Sequence, residues 1–239
     1  MRTLKDCIND NIEDYMNESR LDEADLGMDP VLNEIYQFFE ENYMFTEHRG
    51  YSLVRMTVPR FKKFIKVTKN GDKYVLDSSK SLRAGFSTTS FTNGLFEWGE
   101  IEGDFSCSDC RDLVSLEGAP KEVAGEFYCG FCSKLRSLEG APEYVGRFDC
   151  NHCDSLTDLK GAPEKVKWDF NCSSCRRLGS LQGAPETVGG DFNCDDCPSL
   201  RSLRGAPKEV GGDFNCQYCR SVRSLDGIGK VRGKIISDL

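Results

Sequence analysis

The chain has 239 residues, of which 29% are charged and 38% apolar, a composition typical of a folded, water-exposed protein. Its formal charge of −8 disfavours a general nucleic-acid binder, which needs a basic surface. No apolar run approaches the about 18 residues of a membrane span, and the N-terminus lacks the apolar core of a secretory signal. We therefore expect a cytoplasmic protein without a membrane partner, whose 13 cysteines are reduced or bind metal before they form disulfides.

Charge is distributed unevenly along the chain. Residues 1–50 carry a net charge of −9, residues 51–83 carry +7, and residues 84–239 carry −6. The basic stretch is suited either to binding an anion or to docking against the acidic N-terminal stretch. Docking is the simpler interpretation, because it neutralises a neighbouring charge.

Residues 1–95 are predicted to form a small α+β module that caps the rest of the chain. A first amphipathic helix is indicated by apolar residues at four-residue spacing, Leu4, Ile8, Ile12 and Met16. This helix is alternatively a detachable binding segment. Asp29-Pro30 is suited to begin a second helix, whose apolar face would consist of Val31, Leu32, Ile35, Phe38 and Phe39.

The module also contains strand signals. Residues 51–58 have the composition of a strand. Asn70-Gly71 lies between the apolar runs 64–67 and 73–76, which predicts a β-hairpin.

Residues 96–239 are dominated by a repeat. From Phe105 onward the chain follows the pattern Phe-x-Cys-x-x-Cys-x-x-Leu-x-x-Leu-x-Gly-Ala-Pro-x-x-Val, and the first cysteines of the copies are residues 107, 129, 150, 172, 194 and 216. The sixth copy is degenerate, with Gly227-Ile228-Gly229 in place of Gly-Ala-Pro. A unit of 22 residues cannot bury an apolar face alone, so the copies must stack.

Each copy can be interpreted as one coil of a right-handed solenoid. Phe and the first Cys are two residues apart, the period of a half-buried strand. The second Cys and the two Leu follow at intervals of three and turn the chain through a corner. Gly-Ala-Pro disfavours a helix and favours an extended return. The fold class predicted for the chain is an α/β solenoid, with a parallel β-sheet on the concave face of its repeat array and a C-terminal cap that ends in a lysine-rich strand.

The residues Phe214-Asn215-Cys216-Gln217-Tyr218-Cys219, preceded by Leu200-Arg201-Ser202-Leu203, resemble the leucine-rich repeat. In this resemblance Phe and the first Cys match two strand leucines, and the second Cys occupies the place of the conserved asparagine. The Leu-x-x-Leu-x-Gly-Ala-Pro return is similar to the short repeats of bacterial effectors and large tailed phages. The chain departs from the pattern three residues before Phe, where Gly189 or Gly211 stands instead of leucine.

The paired cysteines allow two interpretations. Six Cys-x-x-Cys pairs at regular spacing are typical of zinc sites, and stacked copies would bring sulfurs together. The order Phe–Cys–Cys–Leu–Leu instead places both thiols on the buried side, where cysteine behaves as a small apolar residue. We favour buried neutral thiols and predict neither a metal site nor a cofactor. Cys7, His48 and His152 show no ligand pattern.

Strand residues that alternate with the buried ones must face outward. These residues, together with the inner positions of the Cys-x-x-Cys pairs, carry nine acids against Arg147. Either this surface is a solvated face that resists aggregation, or it binds a basic partner. The predicted partner-binding residues are the acids Asp104, Glu126, Asp149, Asp169, Asp191, Asp195, Asp196 and Asp213 and the aromatic anchors Tyr128, Phe131 and Tyr218.

A second charged surface follows the second cysteine of each copy. It contains Arg136, Arg176, Arg177, Arg201, Arg204, Arg220 and Arg223, which are suited to an anionic partner but are also ordinary on a solvated edge.

The sequence contains no nucleophile–base pair, phosphate loop or paired acids of a catalytic type. We therefore expect a non-enzymatic module that binds a basic protein segment through the acidic concave face. Two alternatives stay open: a zinc-binding regulatory or nucleic-acid-binding protein that uses the paired Cys-x-x-Cys motifs, and a structural component of a larger, phage-like assembly.

Overall fold

The computed structural model describes residues 30–47, 52–56, 58–85 and 88–239. Its two helices, α1 (Pro30–Asn42) and α2 (Val58–Phe64), both precede the repeats. All strands of the described residues belong to one 17-stranded sheet. The first predicted helix, over residues 4–16, lies outside the described residues.

The N-terminal module contributes five strands to this sheet. They are β1 (Tyr43–Glu47), β2 (Ser52–Arg55), β3 (Ile65–Asn70), β4 (Lys73–Ser78) and β5 (Leu82–Ala84). The hairpin predicted at Asn70-Gly71 is confirmed, because β3 and β4 pair antiparallel and Asn70 lies opposite Lys73. Gly71 has the positive φ of 64° that the tight turn requires.

Helix α1 begins at Pro30, as predicted, and covers the open end of the array. Ile35 and Phe39 are fully buried, and the Phe39 ring lies 5.4 Å from the ring of Trp98. Val31, which was predicted on the apolar face, is exposed. The strand predicted over residues 51–58 is shorter than expected, because Pro59 has the fixed φ that suits the first turn of α2.

The repeats form a parallel β-solenoid of about seven turns, in which each coil contributes two short strands. The strands of the array are β6 (Glu97–Ile101), β7 (Phe105–Ser106), β8 (Glu122–Tyr128), β9 (Tyr144–Asp149), β10 (Lys165–Val166), β11 (Phe170–Asn171), β12 (Thr187–Val188), β13 (Phe192–Asn193), β14 (Glu209–Val210), β15 (Phe214–Asn215), β16 (Lys230–Val231) and β17 (Ile235–Ile236). In β8 and β9 the two strands of a coil merge into one.

The coils stack in strict register. Phe170 pairs with Phe192 and Val166 pairs with Val188, so each position of the repeat forms a column along the solenoid. The sequence predicted the strand at Phe but not the second ladder at Val. The array contains no described helix, so the α/β part of the predicted fold class is not confirmed, and the coarser description is a parallel β-solenoid.

The core is built from the same columns. Six phenylalanine rings, from Phe105 to Phe214, stack with centroids 5.1 to 5.5 Å apart and nearly parallel planes. Because adjacent strands lie about 4.8 Å apart, this separation corresponds to an offset stack, the favoured geometry for aromatic rings. Leucine, cysteine and valine columns fill the rest of the interior.

The sheet is continuous between the module and the array. Strand β5 pairs in parallel with β7, and β4 pairs in parallel with β6. The first coil of the repeats is thus covered by the module through backbone pairing as well as through the aromatic cluster around Phe39.

Candidate functional site

The outward surface of the Phe strands, which we call the acidic face, consists of four columns. The aspartate column precedes each Phe and contains Asp104, Glu126, Arg147, Asp169, Asp191 and Asp213. The asparagine column follows each Phe and contains Ser106, Tyr128, Asp149, Asn171, Asn193 and Asn215. The two inner residues of each Cys-x-x-Cys turn form the third and fourth columns, which include Phe131, Asp195, Asp196 and Tyr218.

The aspartate column is bonded to the backbone of the next coil. Asp169 Oδ1 accepts a hydrogen bond from the amide of Asp191 at 2.9 Å, and Asp191 Oδ1 accepts one from the amide of Asp213 at 2.7 Å. Asp104 accepts equivalently from the amide of Glu126, at 2.8 Å. These charge-assisted bonds give the carboxylates a structural role that the sequence did not reveal, and they offset the mutual repulsion of stacked acids.

The asparagine column fixes the start of each turn. Asp149, Asn171 and Asn193 accept, through Oδ1, the amide two residues further along the chain, at 2.9 to 3.1 Å. This is the Asx-turn geometry. One bond links neighbouring coils, from Asn171 Nδ2 to Asp149 Oδ2 at 2.9 Å.

Three carboxyl groups on the acidic face are partly buried and crowded. Burial, followed by the charge of Asp149, raises the pKa of Glu126. Burial also raises the pKa of Asp149 against the lowering effect of its hydrogen bonds, and it raises the pKa of Asp195. Tyr128 lies beside Glu126 and Asp149, and burial together with the charge of these two acids raises the pKa of Tyr128 to about 12. This part of the face therefore holds more negative charge than its surroundings favour.

The turns present side chains on strained backbone. The third residue of each Cys-x-x-Cys turn has a positive φ although it is not glycine, for example 61° at Phe131 and 58° at Tyr218. An amide-to-carbonyl bond to the next coil holds the turn, as from Phe131 to Asn151 at 2.9 Å. Tyr218 is 56% exposed, and Phe131 stacks on His152 with ring centroids 4.5 Å apart. Of the three predicted aromatic anchors, Phe131 and Tyr218 are thus exposed, and Tyr128 is half-buried.

The cysteines of the repeats lie on the buried side, as predicted. All twelve are buried and free. From the second copy onward, the thiol of each second Cys donates to the carbonyl oxygen of the first Cys in the preceding coil, as from Cys132 to Cys107 at 3.1 Å and from Cys175 to Cys150 at 3.3 Å. In the first copy, the Cys110 thiol donates to the carbonyl oxygen of Gly85 at 3.2 Å. Burial raises the pKa of Cys129, Cys150 and Cys172 well above the usual thiol value. These thiols stay protonated at neutral pH.

Within the described ranges, no three His, Cys, Asp or Glu side chains are grouped so that they could hold a metal ion. Two residues from the sequence analysis, Cys7 and His48, lie outside those ranges. Neither α1 nor α2, the helices of the described residues, has the length and hydrophobicity needed to cross a membrane.

A groove of about 610 Å³ runs over the valine strands, and the sequence analysis did not predict it. Gly146, Gly189 and Gly211 contribute to its lining. Tyr144, which is 69% exposed, stands beside them. Recurrent glycines directly after the valines were the available signal, but glycine columns equally serve the close stacking of coils.

The arginines that follow the second cysteines are all exposed, as predicted for a charged edge. Arg176 lies 3.9 Å from Asp154, a weak ion pair. In an earlier coil Lys134, at the position equivalent to Arg177, is paired more closely, at 2.7 Å from Asp112.

Comparison with known proteins adds no relative: no protein-family model, curated protein or solved structure matches the chain.

Proposed function

We propose that the chain is a non-enzymatic protein-interaction module whose acidic face binds a basic segment of a partner protein. The observation that carries this proposal is the cluster of partly buried carboxyl groups at Glu126 and Asp149. Burial raises the pKa of both, the charge of Asp149 raises that of Glu126 further, and the neighbouring Arg147 offsets these effects only in part. A lysine or arginine side chain placed among them would favour their charged forms. Binding would relieve an unfavourable arrangement that folding alone leaves in place.

The surroundings of these acids support a protein partner. Tyr128 lies within the cluster, and Phe131 and Tyr218 present exposed rings on the adjoining turns. Aromatic side chains beside charged groups are typical of the residues that dominate binding energy at protein interfaces. The strained turns hold these rings in place, so little conformational freedom is lost on binding.

A test must separate binding from folding, because the aspartates also hold the coils together. In the variant Asp191→Asn/Asp196→Asn/Asp213→Asn, the amides at 191 and 213 still accept the backbone bond through Oδ1, and asparagine suits the left-handed backbone at 196. We expect unchanged melting temperature and at least tenfold weaker binding of an arginine-rich peptide, measured by fluorescence anisotropy.

The matched control removes the same charge elsewhere. Glu122, Glu143 and Glu209 are exposed and lie outside the acidic face, so their replacement by Gln should leave peptide binding nearly unchanged. Equal loss in the first variant and in the control would mean that only net charge matters. No loss either in the first variant or in Asp149→Asn, which keeps the acceptor for the amide of Asn151, would exclude the acidic face as the binding surface.

The cysteine columns support two further proposals, one on the repeat family and one on the cellular compartment. We propose that the array is related to the leucine-rich repeats, because the second cysteine occupies the place of their asparagine and donates a hydrogen bond to the preceding coil, as an amide side chain can. We also propose that the protein works in the cytoplasm or another reducing compartment. This proposal is supported by the twelve free thiols of the repeats, because such a compartment keeps thiols reduced.

A further inference from the structure

The side of the coil between the second cysteine and the glycine turn changes character along the array. In residues 111–117, 133–139 and 154–160 it carries four cations and five acids. In the equivalent residues 176–182, 198–204 and 220–226 it carries six arginines and one acid, Asp226. We call these six residues the arginine face; they are Arg176, Arg177, Arg201, Arg204, Arg220 and Arg223.

The arginine face is not neutralised within the molecule. Apart from Arg176, which lies 3.9 Å from Asp154, its members form no ion pair within the part of the chain that the structure describes. A surface that only needs to stay soluble usually mixes both signs of charge, as the first three coils do. A cluster of one sign, made entirely of arginine, indicates a surface that meets an anionic partner.

The acidic face of the same coils has the complementary charge. Between residues 169 and 213 it carries five acids and no cation, namely Asp169, Asp191, Asp195, Asp196 and Asp213. One of them, Asp169, is ion-paired with Arg147 of the preceding coil at 2.6 Å. With Asp226 included, the arginine face has a net charge of +5 and the acidic face −5. Both sets are built on the same coils, so both repeat with the same strand spacing of about 4.8 Å.

We propose that the anionic partner of the arginine face is the acidic face of a second copy of this chain. Two copies placed side by side can match carboxylates with guanidinium groups coil for coil, because both ladders have one period. A nucleic-acid strand, with a phosphate about every 3.4 Å along the duplex axis, lacks this match. The contact joins unlike surfaces and does not close on itself, so it produces open rows of molecules. This inference uses the acidic face of the proposed function but adds a specific partner.

Sedimentation velocity on the full chain tests this contact. We expect the sedimentation coefficient to rise with protein concentration at low salt and to return to the monomer value at about 1 M NaCl, where screening acts within about 3 Å. Nuclease treatment should leave the association unchanged. Loss of association after nuclease treatment would assign the arginine face to nucleic acid, and a monomer at every concentration and salt level would overturn the proposal.

A mixing experiment tests the two faces directly. The variant Arg177→Gln/Arg201→Gln/Arg223→Gln removes three of the six cations of the arginine face, one from each coil. Asp191→Asn/Asp196→Asn/Asp213→Asn removes three of the five acids of the acidic face. Each variant alone should be monomeric. Their mixture should form a one-to-one complex that grows no further, because only one intact pair of faces is left. Absence of this complex, with both variants folded and wild type associating, would contradict the predicted pairing.

The same variants separate this inference from the proposed function. The arginine-face variant keeps its acidic face and should still bind the arginine-rich peptide. Peptide binding without self-association would overturn only the inference drawn here. Self-association without peptide binding would overturn only the broader proposal of a basic protein partner.

Discussion

At the scale of single residues, the cysteines show how a small thiol can serve both packing and hydrogen bonding in the core of a repeat. Each is small enough to fit between stacked coils, and the second of each pair also donates to a carbonyl oxygen that would otherwise lack a partner on that side. Burial of a carbonyl without a donor would cost about 1–3 kcal/mol per coil. The thiols therefore combine apolar packing with polar satisfaction, but only while they are protonated.

Because the buried thiols must stay protonated, we predict that the free energy of unfolding falls sharply at alkaline pH. Burial raises the folded-state pKa of six repeat cysteines, which are Cys107, Cys129, Cys150, Cys153, Cys172 and Cys175, whereas an unfolded thiol has a pKa of about 8.5. Cys110 and Cys219 are left out because hydrogen bonds from neighbouring thiols lower their pKa. Because the folded value is the higher one, the stabilisation is complete below pH 8.5 and is lost as pH rises above it. At pH 9 each of these thiols contributes a loss of about 0.8 kcal/mol, or about 5 kcal/mol for six.

Thermal unfolding in a phosphine reductant, followed from pH 7 to pH 10, measures this effect. A typical domain has only about 5–15 kcal/mol of stability, so we expect unfolding at 25 °C between about pH 9 and 10. Cys172→Ala should reduce the slope of melting temperature against pH by the contribution of one thiol. A melting temperature that is constant up to pH 10 would contradict the protonated, buried state of the column.

For Asp149 we predict a pH effect in acidic solution, where this carboxyl group stabilises the fold more as the pH falls. Its raised pKa means that the folded state holds the proton more tightly than the unfolded state, so the carboxyl group favours folding more as pH falls through its folded pKa. Asp149→Asn keeps an acceptor for the amide of Asn151 but cannot titrate. Wild type should therefore gain stability relative to this variant between pH 7 and pH 4. A difference in melting temperature that does not change with pH would show that Asp149 has an ordinary pKa.

At the scale of elements, the glycine turn that ends each coil is limited both by backbone angle and by space. Gly183 has φ of 89°, and a Cβ there would lie 2.6 Å from the Cα of Lys160 in the preceding coil. Gly118 has a similar φ of 80°, but the nearest atom to a Cβ there is Thr92 Oγ1 at 3.6 Å. The two glycines thus differ only in how closely the preceding coil approaches.

This pair separates conformational strain from crowding. Gly118→Ala should cost about 1–2 kcal/mol, the strain of a left-handed alanine. Gly183→Ala should cost more, about 3 kcal/mol or above, because the coils must also move apart. Denaturant unfolding of both variants measures the difference, and equal losses would mean that the coil spacing yields easily at this turn.

The elements also mark what the sequence could predict. The Phe strand followed from a two-residue period with both members buried, and the hairpin followed from Asn70-Gly71. The valine strands were missed because each contains a single buried residue followed by glycine, and one buried residue cannot show the two-residue alternation by which a strand is recognised. Helix α2 was missed because residues 51–58 look like one continuous strand until Pro59 is considered. Alternation correctly placed the acids outward, but it cannot tell that the amide of the next coil lies within bonding distance of Asp169.

At the scale of the whole molecule, each coil is stabilised mainly by its two neighbours. An interior coil pairs on both sides, whereas among the described residues β16 and β17 pair on one side only, with β14 and β15. In such quasi-one-dimensional arrays, stability is roughly a sum of coil and interface contributions, and opening begins where an interface is missing. The module covers the other end with α1 and with the pairing of β5 to β7.

Hydrogen exchange measured by mass spectrometry can detect this asymmetry with matched amides. The amide of Cys150 donates to Asn171 at 2.8 Å, and the amide of Cys216 donates to Ile236 at 2.9 Å, so the two bonds have the same geometry. Cys150 lies in the middle of the array, whereas the acceptor of Cys216 belongs to the one-sided strand β17. We expect the Cys216 amide to exchange at least tenfold faster, because its release requires only that β17 detach. Equal protection at both positions would mean that the array opens as a single cooperative unit, and the coils could not then be treated as separately stabilised layers.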